Sequence, residues 1–216
     1  VDSRVKSLFV TATNTDAGKT YTTIELIRRV AKRGMKVGVC KPIETGVAEI
    51  AHDASELLKV SQEFNSNLRS LTPLDITAYT FELAAAPFCA DIDDTIEIEQ
   101  ITKKIDELSK LCDILIIEGA GGLMVPITKD FMMIDLIKRL NTQTLLITPS
   151  RLGCINDTLL SIEALKSRDI EFDWCVNLFE DIDSFDIVTK PYYDSRFSDW
   201  WSIEDGLDRF IDHLLR

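Results

Sequence analysis

The run Thr13-Asn14-Thr15-Asp16-Ala17-Gly18-Lys19-Thr20 carries the residue types that hold a phosphate. Gly18 lets the backbone curl closely around an anion, Lys19 brings a fixed positive charge to the outer phosphates, and Thr20 offers a hydroxyl to Mg2+. The run falls between an apolar stretch, Leu8-Phe9-Val10-Thr11, and an amphipathic one. A helix N-terminus with its unpaired N–H groups would therefore face the same anion. The usual phosphate-loop pattern opens with glycine where this chain has Thr13, so the match is partial. A plain strand–turn–helix corner with a surface lysine is the competing reading.

Other residues with chemistry to offer follow other apolar runs. Lys41 stands in Lys41-Pro42-Ile43-Glu44-Thr45-Gly46, just after Val37-Gly38-Val39-Cys40. Beside Lys19 it would complete a two-lysine clamp for charge developing on a transferred phosphoryl group; taken alone, it reads equally well as a surface lysine. Glu118 ends the run Asp113-Ile114-Leu115-Ile116-Ile117 and opens Glu118-Gly119-Ala120-Gly121-Gly122. A carboxylate at the end of a buried strand needs a partner. Phosphate-bound magnesium is a natural one, since it takes one or two carboxylates along with phosphate and water oxygens. The alternative is an exposed strand-end glutamate. The following glycines would let the backbone approach a ligand closely. Asp53 opens a helical stretch, where a simple N-cap is the stronger local reading.

These residues must be positioned by the surrounding elements. Apolar runs at Leu8–Thr11, Val37–Cys40, Asp113–Ile117, Thr144–Thr148 and Trp174–Leu178 read as strands. Amphipathic stretches at Lys19–Arg33, Asp53–Val60, Thr95–Cys112, Ile155–Ser167 and Ile203–Leu215 read as helices, the first stopped by Gly34. The central runs are continuously apolar, as in strands covered on both faces. Strand and helix alternate throughout, which predicts an α/β fold: a three-layer parallel sheet flanked by helices, of the P-loop NTPase kind, with residues 1–216 as one domain. In such a sheet ligands lie beyond the carboxyl ends of the strands, so the segments carrying Lys19, Lys41, Glu118 and Pro149-Ser150-Arg151-Leu152-Gly153-Cys154-Ile155-Asn156 should converge on one rim. Glu180-Asp181-Ile182-Asp183 reads as a solvated loop.

Composition narrows the partners. The 216 residues carry a formal net charge of −12, which makes nucleic acid and anionic membrane surfaces poor partners. No apolar run approaches the length of about 18 residues that a membrane span needs, and Val1-Asp2-Ser3-Arg4-Val5 has no secretory apolar stretch. Five cysteines, Cys40, Cys89, Cys112, Cys154 and Cys175, form no Cys-x-x-Cys pair, so a reducing cytoplasm is expected. His52 and His213 form no evident metal or catalytic pair. Cys154 reads as a buried small hydrophobe rather than a nucleophile. Met132-Met133 and Trp200-Trp201 read as core or interface contacts.

Taken in order, the motifs resemble one family. Ala12 to Thr20 is similar to the Gly-Thr-Asp-Thr-x-x-Gly-Lys-Thr loop of the dethiobiotin synthetases, and Lys41 to Gly46 to their Lys-Pro-x-x-Ser/Thr-Gly segment. His52-Asp53-Ala54 resembles their Ser-Asp-Ala. Glu118 to Gly122 is identical to their signature, Leu152 to Asn156 repeats a further segment, and Trp174-Cys175-Val176-Asn177 resembles the strand ending in their base-contacting asparagine. The resemblance spans about Leu8 to Asn177.

The resemblance implies a reaction. One amine of 7,8-diaminononanoate captures CO2 as a carbamate, which attacks the γ-phosphate of ATP. The second amine then closes the ureido ring and expels phosphate, leaving dethiobiotin and ADP. It implies Mg2+ held by Thr20, Asp53 and Glu118, and catalysis by Lys19 and Lys41. Nucleotide contacts would come from Asp16, Ala17, Gly18, Lys19, Thr20, Tyr21, Asp53, Glu118, Gly119, Ala120, Gly121 and Asn177. Substrate contacts would come from Thr45 and from Gly153, Cys154, Ile155 and Asn156, the last four across the interface of a homodimer. Departures are Ala12 for the first loop glycine, Arg151 where lysine is frequent, and a shortened chain after Asn177. There only Pro191 hints at the family's adenine loop, so looser base recognition is expected. Two rival classes are a partition-type ATPase switch and a non-catalytic nucleotide-binding module. The switch usually carries a second lysine where this chain has Asn14.

Overall fold

The computed structural model describes residues 6–216; Val1–Val5, which showed no secretory stretch, lie outside the described residues. The strands are β1 (Lys6–Ala12), β2 (Val37–Cys40), β3 (Ile43–Thr45), β4 (Tyr79–Phe81), β5 (Ile114–Gly122), β6 (Pro126–Thr128), β7 (Phe131–Met132), β8 (Gln143–Pro149) and β9 (Phe172–Asn177). The helices are α1 (Lys19–Ala31), α2 (His52–Phe64), α3 (Pro87–Ala90), α4 (Ile98–Ser109), α5 (Met133–Leu140), α6 (Cys154–Lys166), α7 (Ile182–Val188), α8 (Lys190–Arg196) and α9 (Ile203–Leu214).

Five strands form one sheet in the order β2-β5-β1-β8-β9, every pairing parallel. The expected parallel sheet is therefore present. Its inner strands are apolar on both faces because helices cover both: Leu8, Phe9, Val10, Ile114 to Ile117 and Leu145 to Ile147 are all withdrawn from water. Helix α1 buries Leu26, Ile27 and Val30, and α9 buries Leu207, Phe210 and Ile211. Arg29 of α1 and Arg33, just past its end, tie the two together by ion pairs to Asp208 and Asp212 at 2.8–3.2 Å.

After Cys40 the chain leaves this sheet. The Lys41 N–H donates to the Ile76 carbonyl, the Pro42 carbonyl accepts from the Ala78 and Tyr79 N–H groups, and β3 pairs in parallel with β4. This small ribbon carries Glu44 and Thr45, and the sequence reading did not contain it.

Several bounds differ from expectation. Helix α2 runs from His52 to Phe64 instead of Asp53–Val60, and α4 is trimmed to Ile98–Ser109. Strand β5 continues past Glu118 to Gly122 because a register shift opposite Val10 and Ala12 absorbs the glycine run. The acidic stretch Glu180–Asp183 is exposed as expected, but Ile182 already begins α7, with Asp181 in the left-handed region at φ 50°. Of the pairs read as core or interface, Met133 and Trp201 are buried, and Trp201 stacks on Phe210.

Among the described residues no helix is long and apolar enough to cross a membrane, and all five cysteines are free thiols.

Candidate active site

The parallel register decides what meets what. Cys40 is level with Ile117 and Val10 with Glu118, so the residue after β2 arrives beside the Glu118 carboxylate. Lys41 Nζ lies 2.7 Å from Glu118 Oε1 and 2.7 Å from Asp53 Oδ2, with the Gly119 carbonyl at 3.5 Å. Lys41 and Glu118 are both buried, whereas the Asp53 side chain remains part-exposed. Thr20 Oγ1, in the first turn of α1, is 3.1 Å from Glu118 Oε1 and 3.3 Å from Asp53 Oδ1. The end of β2, β5, α1 and α2 thus meet at one point.

The loop between β1 and α1 is drawn tight. Gly18 caps α1 with φ +91°, a left-handed conformation that favours glycine. A Cβ there would stand 1.9 Å from Asn177 Nδ2, whose amide donates to the Ala17 carbonyl at 3.2 Å. Asn177, at the end of β9, is buried against the loop. On the other side a Cβ at Gly122 would meet the Thr13 carbonyl at 2.9 Å. The glycine run expected to approach a ligand therefore approaches the protein in part: Gly122 admits the loop backbone, while Gly119 packs on the Phe9 ring.

Lys19 reaches back to the Asn14 carbonyl at 3.2 Å. Burial, and then repulsion from the Lys41 charge, lower its pKa from the ordinary 10.5 to about 8. Lys41 behaves oppositely. Burial works against its charge, but Glu118 and Asp53 outweigh that and hold it above the usual lysine range. Burial likewise opposes ionisation of Asp53, yet Lys41 and the Thr20 hydrogen bond hold its carboxyl below the usual range.

These groups open onto a cleft of about 1070 Å³. One wall is Thr15, Asp16, Gly18, Lys19, Thr20 and Tyr21, with Ala120, Gly121 and Val125 beside them. Lys41, Ile43, Glu44, Thr45, Asp53 and the small-residue run Ala84-Ala85-Ala86-Pro87 line the cleft as well. Asn177, Leu178, Phe179 and Glu204 complete the lining. Ala17, Glu118 and Gly119 do not line the cleft: Ala17 and Glu118 are fully buried, Glu118 lying behind Lys41 and Thr20.

Gly153, Cys154, Ile155 and Asn156 are not part of this lining either. They form the cap and first turn of α6. The Cys154 side chain is buried, touching Tyr193 Oη at 3.6 Å and Thr189 Oγ1 at 3.8 Å, in a hydrogen-bonded cluster completed by Thr148 and Thr158. Its N–H donates to the Arg151 carbonyl, and Arg151 pairs with Asp157 at 3.2 Å. Gly153 has open space where a Cβ would stand, Asn156 is exposed, and Leu152 is 73% exposed.

The oxygen set Thr20, Asp53 and Glu118 suits a hard divalent cation such as magnesium. Glu118 Oε2 is buried without a hydrogen-bond partner, so the carboxylate has an acceptor to spare. Among the described residues no group of three or more His, Cys, Asp or Glu forms a metal cage. A cation here would complete its shell from phosphate and water oxygens, as magnesium does.

Glu44 is the participant that sequence reasoning missed. It is buried on β3, and its two oxygens accept from the backbone N–H groups of Asp53 at 2.9 Å and Ala54 at 3.0 Å. A glutamate inside the Lys41–Gly46 motif was the only signal; the capping depends on where α2 begins.

A parallel sheet with a phosphate loop between its central strand and α1 defines a P-loop nucleotide-binding fold. Residues 6–173 match the family model described as an AAA domain. A plasmid partition protein from Borrelia burgdorferi superposes with a TM-score of 0.57 at 12% identity, covering 98% of this chain and 96% of that one, a likeness of fold alone. The ATP-dependent dethiobiotin synthetase of Sulfurovum sp. strain NBC37-1 is 59% identical over 97% of this chain and all of its own length. That of Wolinella succinogenes is 33% identical over 98% of this chain and 99% of its own. The chain belongs to the dethiobiotin synthetase family.

Proposed function

We propose that this chain carboxylates 7,8-diaminononanoate and closes the ureido ring with ATP, yielding dethiobiotin, ADP and phosphate in biotin biosynthesis. The observation that carries the reading, beside family membership, is Lys41 held between Glu118 and Asp53 at one end of a cleft whose other wall is the phosphate loop. Lys19 and Lys41 bring two cations to the place where phosphoryl charge would spread, which is most of what phosphoryl transfer asks of a protein. Thr45 and the Ala84–Pro87 run line the side where an aliphatic diamine would lie.

Thr20, Asp53 and Glu118 would hold Mg2+, which when bound neutralises phosphate charge. Asp16, Ala17, Gly18 and Tyr21 would follow the nucleotide phosphates, with Ala120, Gly121 and Asn177 along the nucleoside. Ala17 and Gly119 would act through their backbone, and Glu118 from behind Thr20. The short α7–α8 hairpin after Asn177 supports the expectation of loose base recognition, with Pro191 in the first turn of α8.

Gly153, Cys154, Ile155 and Asn156 would serve the cleft of a second subunit in a homodimer, offering helix N-terminal N–H groups to the substrate carboxylate. Gly153 and Asn156 are exposed and lie outside this chain's own cleft lining, which supports that arrangement. Mixing inactive Lys41→Ala and Asn156→Ala proteins should then recover turnover through mixed dimers. A protein active as a monomer would exclude shared sites.

The reading is tested by incubating the protein with the diamine, bicarbonate and Mg-ATP and seeking the cyclic urea by mass spectrometry. Folded, nucleotide-binding protein that forms no product would refute it. ATP hydrolysis independent of diamine would favour the partition-type switch.

A further inference from the structure

Helix α2 begins without a cap of its own. Ala51 occupies the N-cap and offers no side-chain acceptor, yet the first-turn N–H groups need partners. Glu44 supplies them from another element. One oxygen accepts from Asp53 N at 2.9 Å and the other from Ala54 N at 3.0 Å. A carboxylate with one oxygen on each of two adjacent N–H groups, at the positive end of a helix, is a strong and directional contact. Burial nevertheless pushes the Glu44 carboxyl up, against the lowering effect of those two hydrogen bonds.

The consequence falls on Asp53. Its backbone N–H is one of the two that Glu44 grips, and its side chain reaches Lys41 at 2.7 Å and Thr20 at 3.3 Å. Between Glu44 and Asp53 the chain passes through Gly46 to Ile50, a largely exposed segment with Gly46 at φ +80°. Without a strut across it, that segment would let the start of α2 drift relative to β3.

We propose that Glu44 is a positioning residue, which holds the Asp53 carboxylate at the metal-bearing end of the nucleotide by clamping the first turn of α2 to β3. The proposal rests on the reading of Asp53 as a metal-side carboxylate. It places no contact between Glu44 and the nucleotide or the diamine.

The test uses the full chain and three variants, Glu44→Ala, Glu44→Gln and Asp53→Asn. Amide hydrogen exchange at Asp53 and Ala54 is read without nucleotide, and Mg2+-dependent ATP binding is read by calorimetry. Glu44→Ala should speed exchange at those amides and raise the half-saturating Mg2+ concentration by about tenfold, the scale seen when a group supporting a metal ligand is removed. Glu44→Gln keeps the size and one acceptor, so it should fold and show a smaller shift of the same sign. The KM for diamine should hardly move in either.

Unchanged exchange and Mg2+ dependence in both Glu44 variants, while Asp53→Asn weakens Mg2+-dependent binding, would overturn the proposal alone. Unaltered Mg2+ dependence in Asp53→Asn would overturn the reading of the site and the proposal with it. A rise confined to the diamine KM would assign Glu44 to substrate contact and overturn it too.

Discussion

Lys41 Nζ and Glu118 Oε1 stand 2.7 Å apart at the carboxyl ends of neighbouring strands, and both side chains are shut away from water. Neither charge tolerates the loss of the other. Lys41→Met should abolish product formation and also lower stability by about 3–5 kcal/mol, the range for stranding one half of a buried ion pair. Lys41→Met combined with Glu118→Gln should recover much of that stability without any activity. Denaturant midpoints beside a product assay separate the two effects. A double variant no more stable than the single one would show that the charges are not coupled.

The lowered pKa of Lys19 gives nucleotide binding a pH signature. In the free protein its ammonium is present below about 8 and lost as pH rises through that value. Phosphate binding favours the charged form, so Mg-ATP should draw a proton from solution at pH 8.5 and almost none at pH 6.5. Calorimetry in buffers of different ionisation enthalpy measures the uptake. The folding linkage has its own sign. Between about 8 and 10.5 the unfolded chain holds the proton more tightly, so this group makes stability rise with pH across that window. Equal uptake at both pH values would argue that Lys19 is charged throughout.

Gly18 and Asn177 share a contact that leaves no room for a methyl group. Gly18→Ala should weaken nucleotide binding by more than about tenfold and destabilise the fold, since the left-handed backbone alone costs about 1–2 kcal/mol for an L side chain. In an Asn177→Ala background the steric part of the penalty should vanish and only the backbone part remain. A double-mutant cycle on thermal midpoints reads the difference. Additive effects would mean that the loop and Asn177 do not press on one another.

The ion pairs between α1 and α9 are more modest. Asp208→Ala should cost under about 1 kcal/mol, because Asp208 is largely exposed, and the loss should shrink in high salt. Chemical denaturation in low and high salt checks both statements.

The sequence carried the main sheet, and the meeting of Thr20, Lys41 and Glu118, for a physical reason. Runs such as Ile114–Ile117 are apolar on both faces, and that pattern belongs to a buried parallel strand wherever it occurs. Lys41 and Glu118 could be read because each directly follows such a run, so knowing the strand told where the side chain must emerge, whereas Lys19 was read from the Gly18-Lys19-Thr20 run of the loop after β1. Glu44 had no such guide. Its partners are backbone N–H groups, which leave no mark in side-chain types, and they become available only because α2 starts at His52. The ribbon of β3 and β4 was hidden likewise, since strands of three residues show no period. The buried placement of Cys154 depends on Tyr193 and Thr189, which arrive from α8 and the turn before it.

The chain changes sheets at Lys41-Pro42, and this divides the cleft by construction. On the proposed reading the phosphoryl donor would lie against the large sheet, whereas the acceptor would meet Thr45 and the Ala84–Pro87 run on and beside a small, separately hydrogen-bonded ribbon. The layout amounts to a fixed chassis with an exchangeable cassette. Variation along the ribbon side could redirect the enzyme towards diamines of other lengths while Lys41, at the joint, keeps its registration with the donor. A library confined to that wall is the economical way to seek new cyclic ureas from this scaffold.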